Sequence, residues 1–266
     1  MWYRTVEMIT LGPFHIRVWG LLVGAGIGAG LLLTARLARK RGVGDQYIWN
    51  LGIIVLVAGI VGSRLLWALQ PAVIGDTFAH PVQAIAFWRP GLTLIGGLLA
   101  AIIAGIWYVR RARLSVRVVA DLVAPGFGLG LAVGRLGCFL TGLHPGLPTG
   151  LPWGIYYLEA IRHPIPLYES LLGLVLLGVG LFLLNRRLPS GVAAVTVALT
   201  YLVGRSLLDL LRASGVPGAD PRLVGGATLT QSLALFVGPL ALGLLAVLVL
   251  RRHDPEGATG PSTPVA

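Results

Sequence analysis

The 266-residue sequence predicts an all-α integral membrane protein: a bundle of about seven transmembrane helices whose external loops form a small head. Hydrophobic residues make up 56% of the chain and charged residues only 12%. Soluble globular proteins have about 25% charged residues, so an ordinary soluble domain is excluded. The mean hydropathy of +0.83 points the same way. A single cysteine, Cys138, excludes a disulfide framework.

Seven apolar stretches have about the 20 residues that a helix needs to cross the hydrocarbon core of a bilayer. In chain order they are Trp19–Leu37, Tyr47–Leu69, Leu92–Val109, Val118–Leu140, Pro166–Leu184, Val192–Leu211 and Leu229–Leu250. Residues 1–253 are therefore predicted to form one transmembrane domain. Residues 254–266 are rich in Gly, Pro, Ser and Thr, which predicts a disordered C-terminal tail.

Basic residues cluster in alternate loops and thereby set the predicted orientation. Twelve of the 21 basic residues follow the first, third, fifth and seventh spans. By the positive-inside rule these segments are cytoplasmic, which places the N-terminus outside and the C-terminus in the cytoplasm. The two longest loops, Gln70–Gly91 and Thr141–Ile165, are then external. Membrane topology thus explains the net charge of +11, and no nucleic-acid partner is predicted.

Four arginines from different spans are predicted to lie at a similar depth near the external face. Arg64, Arg135 and Arg205 fall inside spans, roughly 20–25 Å from the cytoplasmic ends at a rise of 1.5 Å per residue. Arg17 begins the first span. Guanidinium groups bind phosphate bidentately, so an anionic lipid headgroup is the expected partner. The alternative is that each arginine snorkels separately to the interface.

The sixth span places a polar stripe on one helix face. Tyr201, Arg205 and Asp209 are spaced by four residues and therefore share that face. Polar groups this deep in a membrane usually face a cavity. The Arg205–Asp209 pair also fits a purely structural ion pair. Together with Glu169, Asp209 supplies too few carboxylates to neutralise the four arginines.

The fourth span is rich in small residues. Gly126, Gly130 and Gly134 form a small-xxx-small series, which favours close packing of a neighbouring helix. Arg135 follows directly, so a neighbouring helix or a lipid can approach it. Cys138 is interpreted as a small packing residue, because a thiol in apolar surroundings is a poor nucleophile.

Five motifs resemble those of the prolipoprotein diacylglyceryl transferase family, and their order and spacing extend over nearly the whole chain. They are Ile16–Gly20 (IRVWG, similar to IRWYG), Gly59–Leu65 (GIVGSRL, similar to GxxGARL), Gly134–Gly142 (GRLGCFLTG, similar to GRIGNFING), His163–Glu169 (HPIPLYE, similar to HPxQLYE) and Tyr201–Asp209 (similar to Tyr-xxx-Arg-xxx-Glu).

The resemblance implies transfer of the diacylglyceryl group of phosphatidylglycerol to the thiol of a lipobox cysteine in a prolipoprotein signal peptide. A thioether forms and glycerol phosphate is released. The implied setting is the bacterial inner membrane, with membrane lipid as a further partner. The candidate catalytic residues are Arg135, Arg205, Tyr201, Asp209 and His163, with the two arginines holding the lipid phosphate. The candidate substrate-binding residues are Arg17, Arg64, Gly96, Gly97, Gly134, Gly142, Tyr168 and Glu169.

The sequence departs from the family pattern at several positions. Ile95 replaces the histidine of an HGG motif, Cys138 and Thr141 replace asparagines, and Leu143 replaces a glutamate. Trp19 replaces the tyrosine of IRWYG, and Asp209 replaces a glutamate. Activation of the acceptor thiol then needs either another base or none, and His144 and His163 in the external loop are the candidates for such a base. The alternative function is a catalytically altered relative that binds or transports anionic phospholipid, or that uses another acceptor. No metal or cofactor is predicted, because the five histidines lack ligand spacing.

Overall fold

The computed structural model describes residues 5–12, 14–70, 74–75, 82, 91, 93–219 and 226–250. In chain order its elements are β1 (Met8–Leu11), β2 (Phe14–Arg17), α1 (Val18–Lys40), α2 (Asp45–Ala68), α3 (Leu94–Arg111), α4 (Val116–Leu140), β3 (Ile155–Tyr157), β4 (Ala160–Arg162), α5 (Ile165–Leu184), α6 (Val192–Asp209) and α7 (Leu229–Leu250).

The predicted fold class is confirmed. Each of the seven helices covers one predicted span, and their ends differ from the predicted ones by no more than three residues. Within the described residues, six helices are long and apolar enough to cross a membrane. The remaining helix, α3, has 18 residues and ends in Arg110 and Arg111. The chain is a multi-pass membrane protein, and the predicted tail lies outside the described residues.

The chain forms two compact units, one of which comprises residues Leu33–Val119. Inside this unit α2 and α3 pack closely through glycines. A Cβ atom at Gly97 would lie 3.0 Å from the carbonyl oxygen of Gly59, and one at Gly62 would lie 2.7 Å from the carbonyl oxygen of Gly96. Small residues at these positions therefore let the two helix backbones approach each other.

The second unit combines Met1–Leu32 with Ala120–Ala266, and α4 is packed on two sides within it. On one side, Cβ atoms at Gly26 and Gly30 of α1 would each lie 2.6 Å from a carbonyl oxygen, that of Gly130 and that of Gly126 respectively. The close packing predicted for the glycine series is thus confirmed at Gly126 and Gly130.

On its other side α4 packs against α5 and α6. Ala124, Leu176 and Val197, one residue from each helix, form a buried cluster. The Ser170 hydroxyl donates a hydrogen bond of 2.6 Å to the carbonyl oxygen of Ala132, which joins α5 to α4. At the N-terminus of α6, the buried Asp121 carboxylate accepts hydrogen bonds from the backbone of residues 191 and 194. These contacts fix the relative position of the three helices.

The segment between α4 and α5 folds into the small head that was predicted. Strands β3 and β4 pair as an antiparallel hairpin. Residues 146–149 run beside this hairpin, because Pro148 forms a β-bridge with Arg162 of β4. Gly146 forms a second β-bridge, with Arg212 in the segment after α6. The Arg162 guanidinium donates hydrogen bonds to three carbonyl oxygens, those of residues 146, 157 and 158. The head is therefore joined to the chain that follows α6.

The N-terminal hairpin, and not the first helix, contains Arg17. Strands β1 and β2 pair in antiparallel fashion, and Arg17 is the last residue of β2. Helix α1 begins one residue later, at Val18. Arg17 is solvent-exposed. It therefore precedes the first helix, and the prediction that it begins the span is wrong by one position.

Candidate active site

Three guanidinium groups meet at one carboxylate. Glu169 of α5 is 1% exposed. Arg135 Nη1 lies 2.9 Å from its Oε2 atom, and Arg205 Nη1 lies 3.0 Å from its Oε1 atom. Arg212 Nη2 donates a hydrogen bond of 2.7 Å to the same Oε1 atom. The two arginines predicted to act together are thus brought together by Glu169.

The three helices supply these side chains at matching depths. Arg135 precedes the C-terminal residue of α4 by five positions, and Arg205 precedes that of α6 by four. Glu169 follows the first residue of α5 by four positions. At 1.5 Å per residue, all three lie about 6–8 Å from the helix ends. Because α5 runs antiparallel to α4 and α6, these positions coincide at one end of the bundle.

Asp209 is the second carboxylate of the cluster and is fully buried. It forms ion pairs with Arg205 Nη1 and, at 3.2 Å, with Arg212 Nε. Its Oδ2 atom accepts a hydrogen bond of 2.6 Å from the Thr228 hydroxyl. The cluster, here called the arginine cluster, consists of Arg135, Arg205, Arg212, Glu169 and Asp209. Its three cations and two anions leave one net positive charge, which suits an additional anion.

The solvent exposure of the three arginine side chains decreases from Arg135 to Arg205 to Arg212. The side chain of Arg135 is 18% exposed, that of Arg205 is 10% exposed and that of Arg212 is 2% exposed. Arg135 is therefore the member best placed to contact a ligand. Arg212 directs its nitrogens at protein groups.

Sequence reasoning missed Arg212 as a site residue. It follows Arg205 and Asp209 by seven and three residues, so it continues their helical face beyond the end of α6. That i, i+4, i+7 spacing was the available signal. Burial lowers the pKa of the Arg212 guanidinium to about 10, although the neighbouring Glu169 carboxylate acts in the opposite direction. The group stays protonated at neutral pH.

The start of α7 contributes to the cluster through a capping box. The Thr228 hydroxyl accepts a hydrogen bond from the backbone N–H of Gln231, and the Gln231 side chain accepts one from the backbone N–H of Thr228. This reciprocal pair fixes the Thr228 side chain, which donates to Asp209. Gln231 also donates to the carbonyl oxygen of Ser206 on α6.

Tyr201 lies on the predicted face of α6. Its hydroxyl is within hydrogen-bonding reach of the Arg205 side chain. Its ring packs edge-on against Phe127 of α4, with 5.4 Å between the ring centroids. The shared face of Tyr201, Arg205 and Asp209 is confirmed.

His144, in the loop after α4, contacts the cluster. Its Nδ1 atom lies 3.2 Å from Arg212 Nη1. Its backbone has φ of 60°, a left-handed conformation that costs a residue with a Cβ atom about 1–2 kcal/mol. The Cys138 thiol is within hydrogen-bonding reach of His144 and of the Trp19 indole. Cys138 therefore has polar neighbours as well as the predicted packing role.

His163 belongs to a separate hydrogen-bonded group in the same head. Its Nδ1 atom lies 3.3 Å from the Tyr168 hydroxyl, which also accepts a hydrogen bond of 2.8 Å from the Trp153 indole N–H. A cavity of about 10 Å³, enough for about one water molecule, is lined by both His163 and His144. The two histidines considered as bases therefore flank one small space.

Gly142 ends α4 in a left-handed turn with φ of 69°. The backbone N–H groups of residues 142 and 143 donate to the carbonyl oxygens of residues 139 and 138, which is a Schellman motif. A Cβ atom at Gly142 would lie 2.7 Å from the Tyr157 hydroxyl oxygen. Glycine is thus needed here for the turn that leads to His144. At Gly134, by contrast, an added Cβ atom would come no closer than 4.0 Å to its nearest neighbour, a methyl group of Val23, so the space there is open.

The remaining predicted site residues lie in the unit of residues Leu33–Val119. Arg64 is 1% exposed; its Nη1 atom donates a hydrogen bond of 2.7 Å to the carbonyl oxygen of Gly91, and its guanidinium lies 4.2 Å from the centroid of the Trp67 ring. Gly96 and Gly97 line the contact between α2 and α3. Ile95, which replaces the family histidine, is exposed.

The fold and the site together define a multi-pass helical membrane protein with a buried, net cationic cluster at one end of its bundle. Residues 6–248 match the sequence model of the family described as prolipoprotein diacylglyceryl transferase. The chain belongs to this family.

Three relatives illustrate the similarity, and each is named phosphatidylglycerol–prolipoprotein diacylglyceryl transferase. The protein of Geobacter sulfurreducens is 34% identical over 91% of this chain and 94% of its own length. That of Gloeobacter violaceus is 33% identical over 93% of both chains. That of Synechococcus elongatus is 29% identical over 94% of this chain and 89% of its own.

Proposed function

We propose that the protein transfers the diacylglyceryl group of phosphatidylglycerol to the thiol of a lipobox cysteine in a prolipoprotein. The products are a thioether-linked lipoprotein precursor and glycerol phosphate. Membership of the family and the names of the relatives support this assignment. The observation that carries it in the structure is the arginine cluster, in which Arg135 and Arg205 share Glu169 and one positive charge remains.

The cluster is suited to the leaving group of this reaction. When the acceptor sulfur forms its bond to the glyceryl carbon, the bond from that carbon to a phosphate oxygen breaks, and negative charge grows on that oxygen. Fixed cations that meet the growing charge lower the barrier. Arg135, the most exposed of the three, contacts the phosphate, and Arg205 adds a second guanidinium beneath it. Asp209 and Tyr201 hold Arg205 in place.

His163 accepts the proton of the acceptor thiol. In the tautomer in which its Nδ1–H donates to the Tyr168 oxygen, Nε2 keeps the lone pair that a base requires. The Trp153 indole orients Tyr168 by donating to the same oxygen. The proton therefore moves from sulfur to Nε2 as the new carbon–sulfur bond forms.

Two of the remaining residues predicted to bind substrate, Gly134 and Gly142, are proposed to keep the approach to Arg135 free of side chains. Arg17, which is exposed just before α1, is proposed to contact lipid headgroups. Arg64, Gly96 and Gly97 are proposed instead to stabilise the unit of residues Leu33–Val119. The protein is placed in the bacterial inner membrane, with its N-terminus outside and its C-terminus in the cytoplasm, as the distribution of basic residues indicates.

Release of glycerol phosphate is the direct test. Purified protein in phosphatidylglycerol liposomes is mixed with a lipobox peptide, and both glycerol phosphate and the thioether-modified peptide are quantified. We expect both products in equal amounts. Two controls fix the specificity: a peptide with serine in place of the lipobox cysteine, and liposomes of phosphatidylethanolamine. Both should give no product.

A negative result separates this activity from the alternative. Binding of phosphatidylglycerol without release of glycerol phosphate, with any thiol or hydroxyl acceptor, would indicate a lipid-binding or lipid-transporting protein. The replacement of the family histidine by Ile95 is the observation that favours this second candidate.

A further inference from the structure

We propose that His144 acts as a hydrogen-bond donor to the lipid phosphate and that Arg212 is the positioning residue that holds it in this state. The inference rests on the proposed function and deepens it, because it assigns opposite roles to the two histidines considered as bases. It is based on the contacts of Arg212 and on the backbone of His144.

The first step is the tautomer of His144. Its Nδ1 atom faces Arg212 Nη1 at 3.2 Å. A guanidinium has only donors, so Nδ1 must accept this hydrogen bond. A neutral imidazole that accepts at one nitrogen carries its proton on the other. His144 therefore presents Nε2–H, a donor, on the opposite edge of its ring.

The second step is the rigidity of this arrangement. Arg212 is 3% exposed, and each of its three nitrogens has a different partner. Nη2 contacts Glu169, Nε contacts Asp209 and Nη1 contacts His144. The His144 backbone N–H donates to the carbonyl oxygen of Gly218, which holds the residue in its left-handed conformation. Strain maintained by the surroundings is typical of positions where geometry matters for function.

The third step is the direction of the donor. Near His144, the sulfur of Cys138 is within hydrogen-bonding reach, and Arg135 precedes Cys138 by one helical turn on α4. Thiol sulfur is a weak acceptor, whereas an ionised phosphate oxygen is a strong one. A phosphate held by Arg135 therefore exchanges with the sulfur as the partner of Nε2–H.

The charged and titratable groups that face His144 argue against a role as base. Arg212 faces it from the segment after α6 and Cys138 from α4, and His163 lines the same small cavity; Arg135 is a further charged neighbour of Cys138. A proton taken up at Nδ1 would displace the Arg212 hydrogen bond and place two cations in contact. His163 has a hydroxyl as its neighbour instead, so it can accept a proton.

The test compares His144→Gln with His144→Ala. The glutamine amide supplies an N–H near the position of Nε2–H but cannot act as a base, and both variants share the same backbone strain. We expect His144→Gln to keep kcat within about fivefold of the wild type, and His144→Ala to lose about 100-fold, the usual effect of removing one donor to a developing anion. The acid limb of the pH profile of kcat/KM should be the same in His144→Gln and the wild type.

Arg212→Lys tests the positioning role. Lysine keeps the positive charge, but its single ammonium group lacks the planar fork that contacts Glu169, Asp209 and His144 in fixed directions. We expect a loss at least as large as that of His144→Ala, because Arg212 also contacts Glu169 and Asp209. Adding His144→Ala to Arg212→Lys should cause little further loss, because the donor is already mispositioned. Additive losses would show that Arg212 does not act through His144. Equal melting temperatures of the two His144 variants check that the comparison concerns matched folded proteins.

The outcomes separate this inference from the proposed function. If the wild type releases glycerol phosphate and His144→Gln is as inactive as His144→Ala, or loses the acid limb, the donor role is overturned. If the wild type releases none, the proposed function fails, and binding to phosphatidylglycerol nanodiscs decides the inference instead. The donor role is supported if His144→Ala binds phosphatidylglycerol more weakly than the wild type while His144→Gln does not. It is overturned if the two variants bind the lipid equally.

Discussion

Two regions of the molecule bury arginine in different ways. In the unit of residues Leu33–Val119, Arg64 donates to the carbonyl oxygen of Gly91 and lies over the Trp67 ring. In the other unit, Arg135 and Arg205 share the Glu169 carboxylate with a third guanidinium. The first arrangement uses a neutral carbonyl and an aromatic face, whereas the second is a network of charges with a surplus cation.

An arginine inside a membrane span is therefore not by itself evidence of a ligand. A guanidinium bound to a backbone carbonyl and an aromatic ring joins segments of the chain, here α2 and the residue three positions before α3. A cluster that keeps net charge and includes a partly exposed member can bind an anion in addition.

Replacement of Arg135 or Arg205 by alanine should have the largest effect. Each change removes a cation that faces the departing phosphate, and we expect kcat to fall by about 1,000-fold or more. Release of glycerol phosphate from phosphatidylglycerol liposomes measures this loss. Arg135→Lys is the matched control, and it should recover only part of the activity because lysine lacks the bidentate fork. Full activity of Arg135→Ala would show that the arginine cluster does not stabilise the departing phosphate.

Replacement of Arg64 by alanine should affect stability more than turnover. The change leaves the partly buried carbonyl of Gly91 without this donor, which costs about 1–3 kcal/mol of folding stability. We expect a lower melting temperature in detergent, and a loss of kcat/KM in the folded protein of about tenfold or less.

The opposite pattern for Arg64, a loss as large as that of Arg135→Ala with an unchanged melting temperature, would show that Arg64 binds substrate directly. The contrast between the two regions would then be incorrect.

Replacement of Cys138 by alanine should have the smallest effect. Its sulfur is a weak acceptor for neighbouring N–H groups, and the side chain is otherwise a small buried residue of α4. We expect turnover within about threefold of the wild type, measured by the same release of glycerol phosphate. Loss of activity in this variant, with Arg135 and Arg205 intact, would mean that the thiol itself takes part in the chemistry.

The helices and the core of the site could be predicted from the sequence for simple physical reasons. Apolar runs of membrane length predict the seven long helices of the described residues, because a bilayer leaves the backbone few alternatives. The spacing of Tyr201, Arg205 and Asp209 gives their common face directly. Arg135 could be placed at the same depth by counting residues along α4.

Other parts depended on tertiary structure. Arg212 lies just beyond the end of α6, so its spacing from Arg205 and Asp209 indicates a shared face only if the helical turn continues past Asp209. Thr228 reaches Asp209 only because a capping box at the start of α7 fixes it. The partner of Glu169 could not be chosen from the sequence, since three arginines compete for it. The tautomer of His144 depends on a neighbour 68 positions away along the chain.

A structure of the protein with phosphatidylglycerol bound would show whether the arginine cluster holds the lipid phosphate. We predict the lipid phosphate within hydrogen-bonding distance of the Arg135 guanidinium, beside Arg205, with its glyceryl carbon facing open space toward His163. A phosphate bound elsewhere, while Arg135 contacts only Glu169, would contradict the account.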